Sequence, residues 1–196
     1  VVEHMEDERI NGAVEVHNAY LRLFNMHALS APTKKIYRRD IIQNYNIKFP
    51  SLKRSQDIVF NYRYYDKINS LAVMGKELYY YREDNKANIK KIHAEYYKAV
   101  SKIVEDINIL LKKWNANVAS EEYDKFCQHF FNAVVALISS GNANKVMNNV
   151  VNDKFIIEIT KKSKPKTFKK KVIKYLILIK AVTIINLLVE INKYQE

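Results

Sequence analysis

Glycine and proline occur only three times each in a chain of 196 residues, and this scarcity constrains its fold more than any other sequence feature. Tight turns with positive φ fall naturally to glycine, and proline punctuates loops. A chain so poor in both favours long helices with few tight turns, and a large all-β fold is disfavoured. Apolar residues make up 48% of the sequence, which is enough for a packed core and argues against intrinsic disorder. The length suits one domain or one and a half.

Hydrophobic spacing gives the order of elements. Val16, Ala19, Tyr20, Leu23, Phe24 and His27 predict a helix over 12–27. After Pro32, Ile36, Tyr37, Ile41 and Tyr45 predict a short helix within 33–46, and Pro50 marks a loop to Ser55. Ser55 is a predicted N-cap whose hydroxyl accepts from the first turn. Phe60, Tyr64 and Ile68 follow on one face. Two β-prone runs, 71–74 and 78–81, flank Gly75 and predict two brief strands. From Ile89 to Trp114 an apolar stripe predicts a helix of about 27 residues, roughly 40 Å long. Further helices are predicted over 120–139, stopping at Gly141 as a C′ residue, over 143–160, and from Pro165 to the end. The composition changes near Asp84, with mixed α/β before it and helix after it. The expected organisation is therefore 1–85, a helical bundle region over 86–165, and a basic amphipathic helix over 166–196.

Motif chemistry is sparse. The sequence has no nucleophile elbow, no P-loop, no dinucleotide fingerprint and no paired metal-binding cysteines. His4, His17, His27, His93 and His129 are scattered without a ligand spacing, so no metal site is expected within this chain. The single cysteine, Cys127, cannot form an internal disulfide, which points to a reducing compartment. Its neighbours Phe126, Phe130 and Phe131 predict a buried thiol rather than a nucleophile. The net charge of +12 is unevenly spread. Eight lysines and no acid lie between Lys161 and Lys174, while Glu3, Glu6, Asp7 and Glu8 make the N-terminus acidic. A basic tail implies an anionic partner surface, phospholipid or nucleic acid.

Residues 31–82 carry a family resemblance. Ala31-Pro32-Thr33-Lys34-Lys35-Ile36-Tyr37-Arg38-Arg39-Asp40 is similar to the A-P-W-N-K-[LI]-Y-R-R-[ED] stretch of bacterial family 2 glycosyltransferases. Ile47-Lys48-Phe49-Pro50 resembles that family's I-x-F. Lys53-Arg54-Ser55-Gln56-Asp57-Ile58-Val59-Phe60 resembles its G-E-D-x-x-F, and Leu78-Tyr79-Tyr80-Tyr81-Arg82 its L-Y-Y-Y-R. The four pieces stand in the family's order and at its separations, and they cover about a quarter of the chain closely. The fold class this implies is mostly α. It comprises the C-terminal end of a GT-A α/β catalytic domain, made of helices plus two short strands, followed by a helical region.

The resemblance implies inverting transfer of a sugar from a nucleotide-sugar donor to an acceptor hydroxyl in bacterial surface glycan synthesis. By motif position, Asp57 takes the role of general base. Read from the residues alone, Asp57 is a first-turn acid favoured by the helix dipole. Lys35, Arg54, Gln56 and Arg82 are the expected substrate contacts, with ordinary solvated charge as the plainer reading of the cations. Gln56 stands where the family has glutamate, and Thr33 where it has tryptophan. The family's D-x-D, its nucleotide-binding half and the Q-x-x-R-W of processive synthases are absent from this sequence. The resemblance thus implies a part of an enzyme that adds single sugars. In that enzyme a divalent metal, Mg or Mn, would be held by residues outside this chain. A first residue of Val1 gives the same expectation of a chain cut at its N-terminus, with no secretory signal visible.

The C-terminal segment reads lysine-rich, then aliphatic. At 100° per residue, Lys180, Thr183, Asn186, Glu190 and Lys193 share one arc of a continuous helix over 166–194. Its longest uncharged run, 181–189, is too short to span a bilayer. An interfacial helix is expected instead, with Lys169, Lys170, Lys171 and Lys174 facing anionic lipid on the cytoplasmic side of the membrane. The plainer alternative is a helix packed on the bundle. Two non-enzymatic readings compete: a basic helical module that binds nucleic acid or a partner protein, and an oligomerising module built on the helix 89–114. The lysines sit beside aliphatics without interleaved aromatics, so nucleic acid is not the expected partner.

Overall fold

A computed structural model describes residues 5–29, 31–52, 54–76, 94 and 96–193, with burial known to 189. The described residues are mostly α with one two-stranded antiparallel sheet. Strand β1 (Glu8–Asn11) leads into helix α1 (Ala13–Asn25). A single 3₁₀ turn at Pro32–Lys34 precedes α2 (Arg39–Asn44) and α3 (Gln56–Tyr65). Strand β2 (Ser70–Val73) pairs back on β1, Glu8 opposite Val73 and Asn11 opposite Ser70. The predicted strand over 71–74 therefore exists, but its partner is an N-terminal strand that alternation did not reveal. Leu78–Tyr81 lie outside the described residues.

Gly75 follows β2 because a side chain does not fit there. A Cβ on Gly75 would lie 2.0 Å from the Met5 carbonyl oxygen, and the Gly75 amide donates to Asp7 Oδ1 at 2.8 Å. Two segments far apart in sequence are thus pinned together by a backbone approach that only glycine permits.

The helical half follows as α4 (Tyr96–Lys113), α5 (Glu121–Leu137), a widened π turn over Ile138–Asn142, α6 (Ala143–Val150), α7 (Lys154–Lys162), α8 (Phe168–Leu178) and α9 (Val182–Lys193). Three predicted helices are corrected. Ala94 lies in a turn, so the helix begins at Tyr96 and does not run unbroken from Ile89. The helix predicted over 143–160 breaks at 151–153, because Asp153 caps α7 by accepting from the amides of Phe155 (2.9 Å) and Ile156 (3.2 Å). The continuous helix over 166–194 is two helices separated at Ile179–Ala181, where Lys180 has φ 57°. Of the predicted arc, Thr183, Asn186, Glu190 and Lys193 lie on α9, and Lys180 alone falls in the break before it. Gly141, the predicted stop, is in the left-handed region at φ 84°, and α6 resumes directly after it.

The Cα trace divides into two compact units, 1–83 with 106–123, and 84–105 with 124–196. In the first, Tyr20 and Tyr65 meet edge-on at 5.1 Å and Trp114 closes on both. The Tyr65 hydroxyl donates to the Val16 carbonyl at 2.5 Å. In the second, Phe126, Phe131, Leu137, Ile138, Met147 and Ile156 are fully buried, each contributing about 1.5–3 kcal/mol by leaving water. Cys127 is buried among them, as its aromatic neighbours predicted.

Candidate functional site

Helix α3 organises the candidate site in the first unit. Ser55 occupies its N-cap position in a left-handed conformation (φ 61°), and its side chain makes no capping hydrogen bond. The predicted hydroxyl cap is therefore absent, since an αL backbone directs the side chain away from the first-turn amides. Gln56 and Asp57 take the first two helical positions, both half-buried. Asp57 Oδ1 accepts from the Ile58 amide at 2.9 Å, and Oδ2 carries no hydrogen bond among the described residues. The helix N-terminus supplies a partial positive charge that favours the carboxylate.

Three motif pieces separated in sequence meet on α3. Tyr37 lies edge-on to Phe60 (5.4 Å) and Tyr64 (4.9 Å), and its hydroxyl donates to Asn61 Oδ1 at 2.6 Å. Asn61, itself buried, donates to the Leu29 carbonyl at 2.7 Å. The Arg38 amide donates to the Tyr64 hydroxyl at 2.8 Å. Phe49, half exposed, stacks face to face on Phe60 at 4.3 Å. The aromatic ladder 60–64 is thus the floor on which segments 31–40 and 47–50 rest.

The Lys35 ammonium donates a hydrogen bond to the Ala31 carbonyl. Burial pulls its pKa down to about 8. Lys34 pushes in the same direction, and the Asp57 carboxylate opposes it. Burial likewise raises the Tyr37 hydroxyl to about 12, with Tyr64 and Asp57 adding to the rise. Asp57 therefore sits within electrostatic reach of both Lys35 and Tyr37. Arg54 is exposed, and Arg82 lies outside the described residues. Arg38 is spent locally, pairing with Asp40 at 2.5 Å on an exposed surface.

Two constellations were not anticipated from sequence. Asp66, at the C-terminus of α3, accepts from Lys113 (2.7 and 2.9 Å), Lys67 (2.8 Å) and Trp114 Nε1 (2.9 Å). Burial alone would raise its pKa, but these three donors outweigh it and hold the carboxyl below its ordinary value. The second is a cleft of about 450 Å³ lined by Met5, Glu6, Asp7, Glu8, Arg22, Leu23, Met26 and Val73. Within it, Arg22 Nη2 donates to both Glu8 oxygens at 2.7 and 2.9 Å. No sequence signal pairs Asp66 with Lys113, because contact between residues 47 apart is purely tertiary. The cleft holds none of Lys35, Gln56 or Asp57.

Among the described residues, no group of three or more His, Cys, Asp and Glu side chains is placed to hold a metal ion. None of their helices is long and apolar enough to cross a membrane. Lys169, Lys170, Lys171 and Lys174 lie on α8, in the second unit. No family model, curated protein or solved structure matches this chain.

Proposed function

We propose that this chain is the acceptor side of a sugar-nucleotide-dependent glycosyltransferase, with Asp57 as the general base. The observation that carries the reading is the convergence on α3 of the three described motif pieces, 31–40, 47–50 and 54–60, around a half-buried carboxylate with an unengaged oxygen. A carboxylate so placed can accept the proton of an acceptor hydroxyl approaching to about 3 Å. As that proton moves to Asp57, the acceptor oxygen attacks the anomeric carbon. The bond from that carbon to the donor phosphate breaks, and the nucleoside diphosphate leaves with the electron pair. Lys35, being partly desolvated, offers a cation at lower hydration cost than a surface lysine, which suits an anionic acceptor group. Gln56 supplies a neutral hydrogen-bonding amide where a second carboxylate would repel Asp57. A metal-bound donor would be held by a nucleotide-binding half outside this chain.

This division of labour has a direct consequence. A polypeptide joining this chain to that half should convert a UDP- or GDP-sugar into a glycosylated acceptor plus the nucleoside diphosphate. This chain alone should give no heat of binding with UDP- or GDP-sugars in calorimetry at micromolar to millimolar ligand. Micromolar binding by the chain alone would contradict the reading and require a donor site within it.

A further inference from the structure

Helices α8 and α9 bury one face each and leave a second apolar face in water. Ile173, Leu176, Ile177 and Ile185 are buried. On the outer side of α8, Phe168 is 82% exposed, Tyr175 63% and Ile179 51%. Their spacings of seven and four place them on one stripe. On α9, Ile184, Leu187 and Leu188 are 50%, 56% and 37% exposed, at spacings of three and one. Isolated exposed apolar side chains are ordinary, but two stripes on consecutive helices mark a contact surface.

The charges say what that surface meets. Nine lysines and no acid lie between Lys161 and Val189, and no arginine follows Arg82. Lys164 is neutralised by Asp124 at 2.6 Å. Lys170 and Lys180 donate to the neutral Asn132 and Asn152. Lys174, expected to face lipid, instead donates to the carbonyls of Lys161 and Ser163, and burial lowers its pKa. Lys161, Lys162, Lys166, Lys169 and Lys171 are exposed.

We infer that the outer faces of α8 and α9 dock on an anionic lipid bilayer. The stripes through Phe168, Tyr175 and Ile179 and through Ile184 and Leu187 enter the boundary of headgroups and acyl chains, and the lysines extend to lipid phosphates. A second copy of the chain is a poor occupant, since two-fold pairing sets the lysine surface against itself. Nucleic acid would neutralise the lysines yet leave the aliphatic stripes in water. This surface belongs to the second unit and stands independently of the transferase reading.

Flotation with the full chain tests the inference, using vesicles of phosphatidylcholine with and without 30% phosphatidylglycerol. Binding should need phosphatidylglycerol and weaken in high salt, because charges beyond about 10 Å are screened at 0.1 M. Lys169→Gln with Lys171→Gln should weaken it about tenfold, each lysine being worth up to about fivefold near an acidic leaflet. Phe168→Ser with Leu187→Ser should weaken it by about tenfold or more, and circular dichroism should show all variants folded because these side chains are exposed. Several results would overturn the inference: no binding to anionic vesicles, equal binding to neutral ones, or indifference to either double variant. Tight RNA binding at 0.15 M salt that survives Phe168→Ser would overturn it in favour of nucleic acid. Self-association without vesicle binding would do so in favour of a second copy.

Discussion

Burial changes Lys35 from an ordinary surface cation into a base that titrates near physiological pH. With its pKa at about 8, about half of its amine is neutral at pH 8, against well under 1% for a lysine at 10.5. Brief acylation at pH 8 followed by peptide mass spectrometry should therefore label Lys35 about tenfold faster than its neighbour Lys34. Equal rates would place Lys35 in bulk water. The shift also fixes a sign for stability. The folded state disfavours the protonated amine, so the cost is full below pH 8 and is relieved as pH rises from 8 to 10.5. Lys35→Met should flatten stability across that window. The motif pattern made Lys35 a candidate, but its lowered pKa could not be read from sequence, because it comes chiefly from burial, which no local pattern encodes, against the opposing charge of Asp57. Asp66 makes the same point more strongly. Its partners Lys113 and Trp114 are 47 and 48 residues away, and nothing local marks it.

Helix ends account for most of the differences between expectation and structure. Four helices finish in the same way, with a non-glycine residue in the left-handed region: His27 after α1, Asn46 after α2, Asn115 after α4 and Lys180 after α8. In each, the next amide reaches back five residues, from Ala28 to Leu23, Ile47 to Ile42, Ala116 to Leu111 and Ala181 to Leu176. This is the Schellman closure that glycine usually provides, and a chain with three glycines forms it with other residues. Glycine as a stop signal therefore missed the α8–α9 break, while the aliphatic run across 176–191 looked continuous. The α7 cap was missed for a similar reason, since an asparagine-rich stretch before Asp153 obscured it. Lys180→Val should cost about 1–2 kcal/mol in denaturant unfolding, because a β-branched residue resists positive φ. Lys180→Gly should leave stability unchanged or higher. A loss on glycine substitution would mean that the Lys180–Asn152 hydrogen bond, not the backbone, sets the bend.

At the scale of the whole chain, glycine and proline scarcity correctly foretold a mostly helical fold, and the β-prone run 71–74 foretold one strand of its small sheet. The buried face of α1 followed its apolar spacing, since Val16, Ala19, Tyr20, Leu23 and Phe24 are all buried, whereas on α3 Tyr62 and Tyr65 turn inward, Tyr64 of the predicted stripe is only half-buried and Ile68 lies beyond the helix. The strand pairing and the membership of 106–123 in the first unit were not legible, because each depends on contacts that no local pattern encodes. The candidate site was legible as residue types and separations, while the aromatic packing that brings segments 31–40 and 47–50 onto α3 was not. Tyr37 and Phe49, both from segments that precede α3, pack on Phe60 one turn from Asp57. The role proposed for the Asp57 carboxylate is to remove the acceptor proton. Its most direct test is the rate of sugar transfer by the polypeptide carrying both halves, with Asp57→Asn compared with wild type and thermal unfolding followed in parallel. Asparagine keeps the shape and can still accept from the Ile58 amide, so the unfolding midpoint should stay within about 2 °C, while transfer should fall about 100-fold or more. Transfer within about threefold of wild type, at an unchanged midpoint, would show that Asp57 serves the helix and not the reaction.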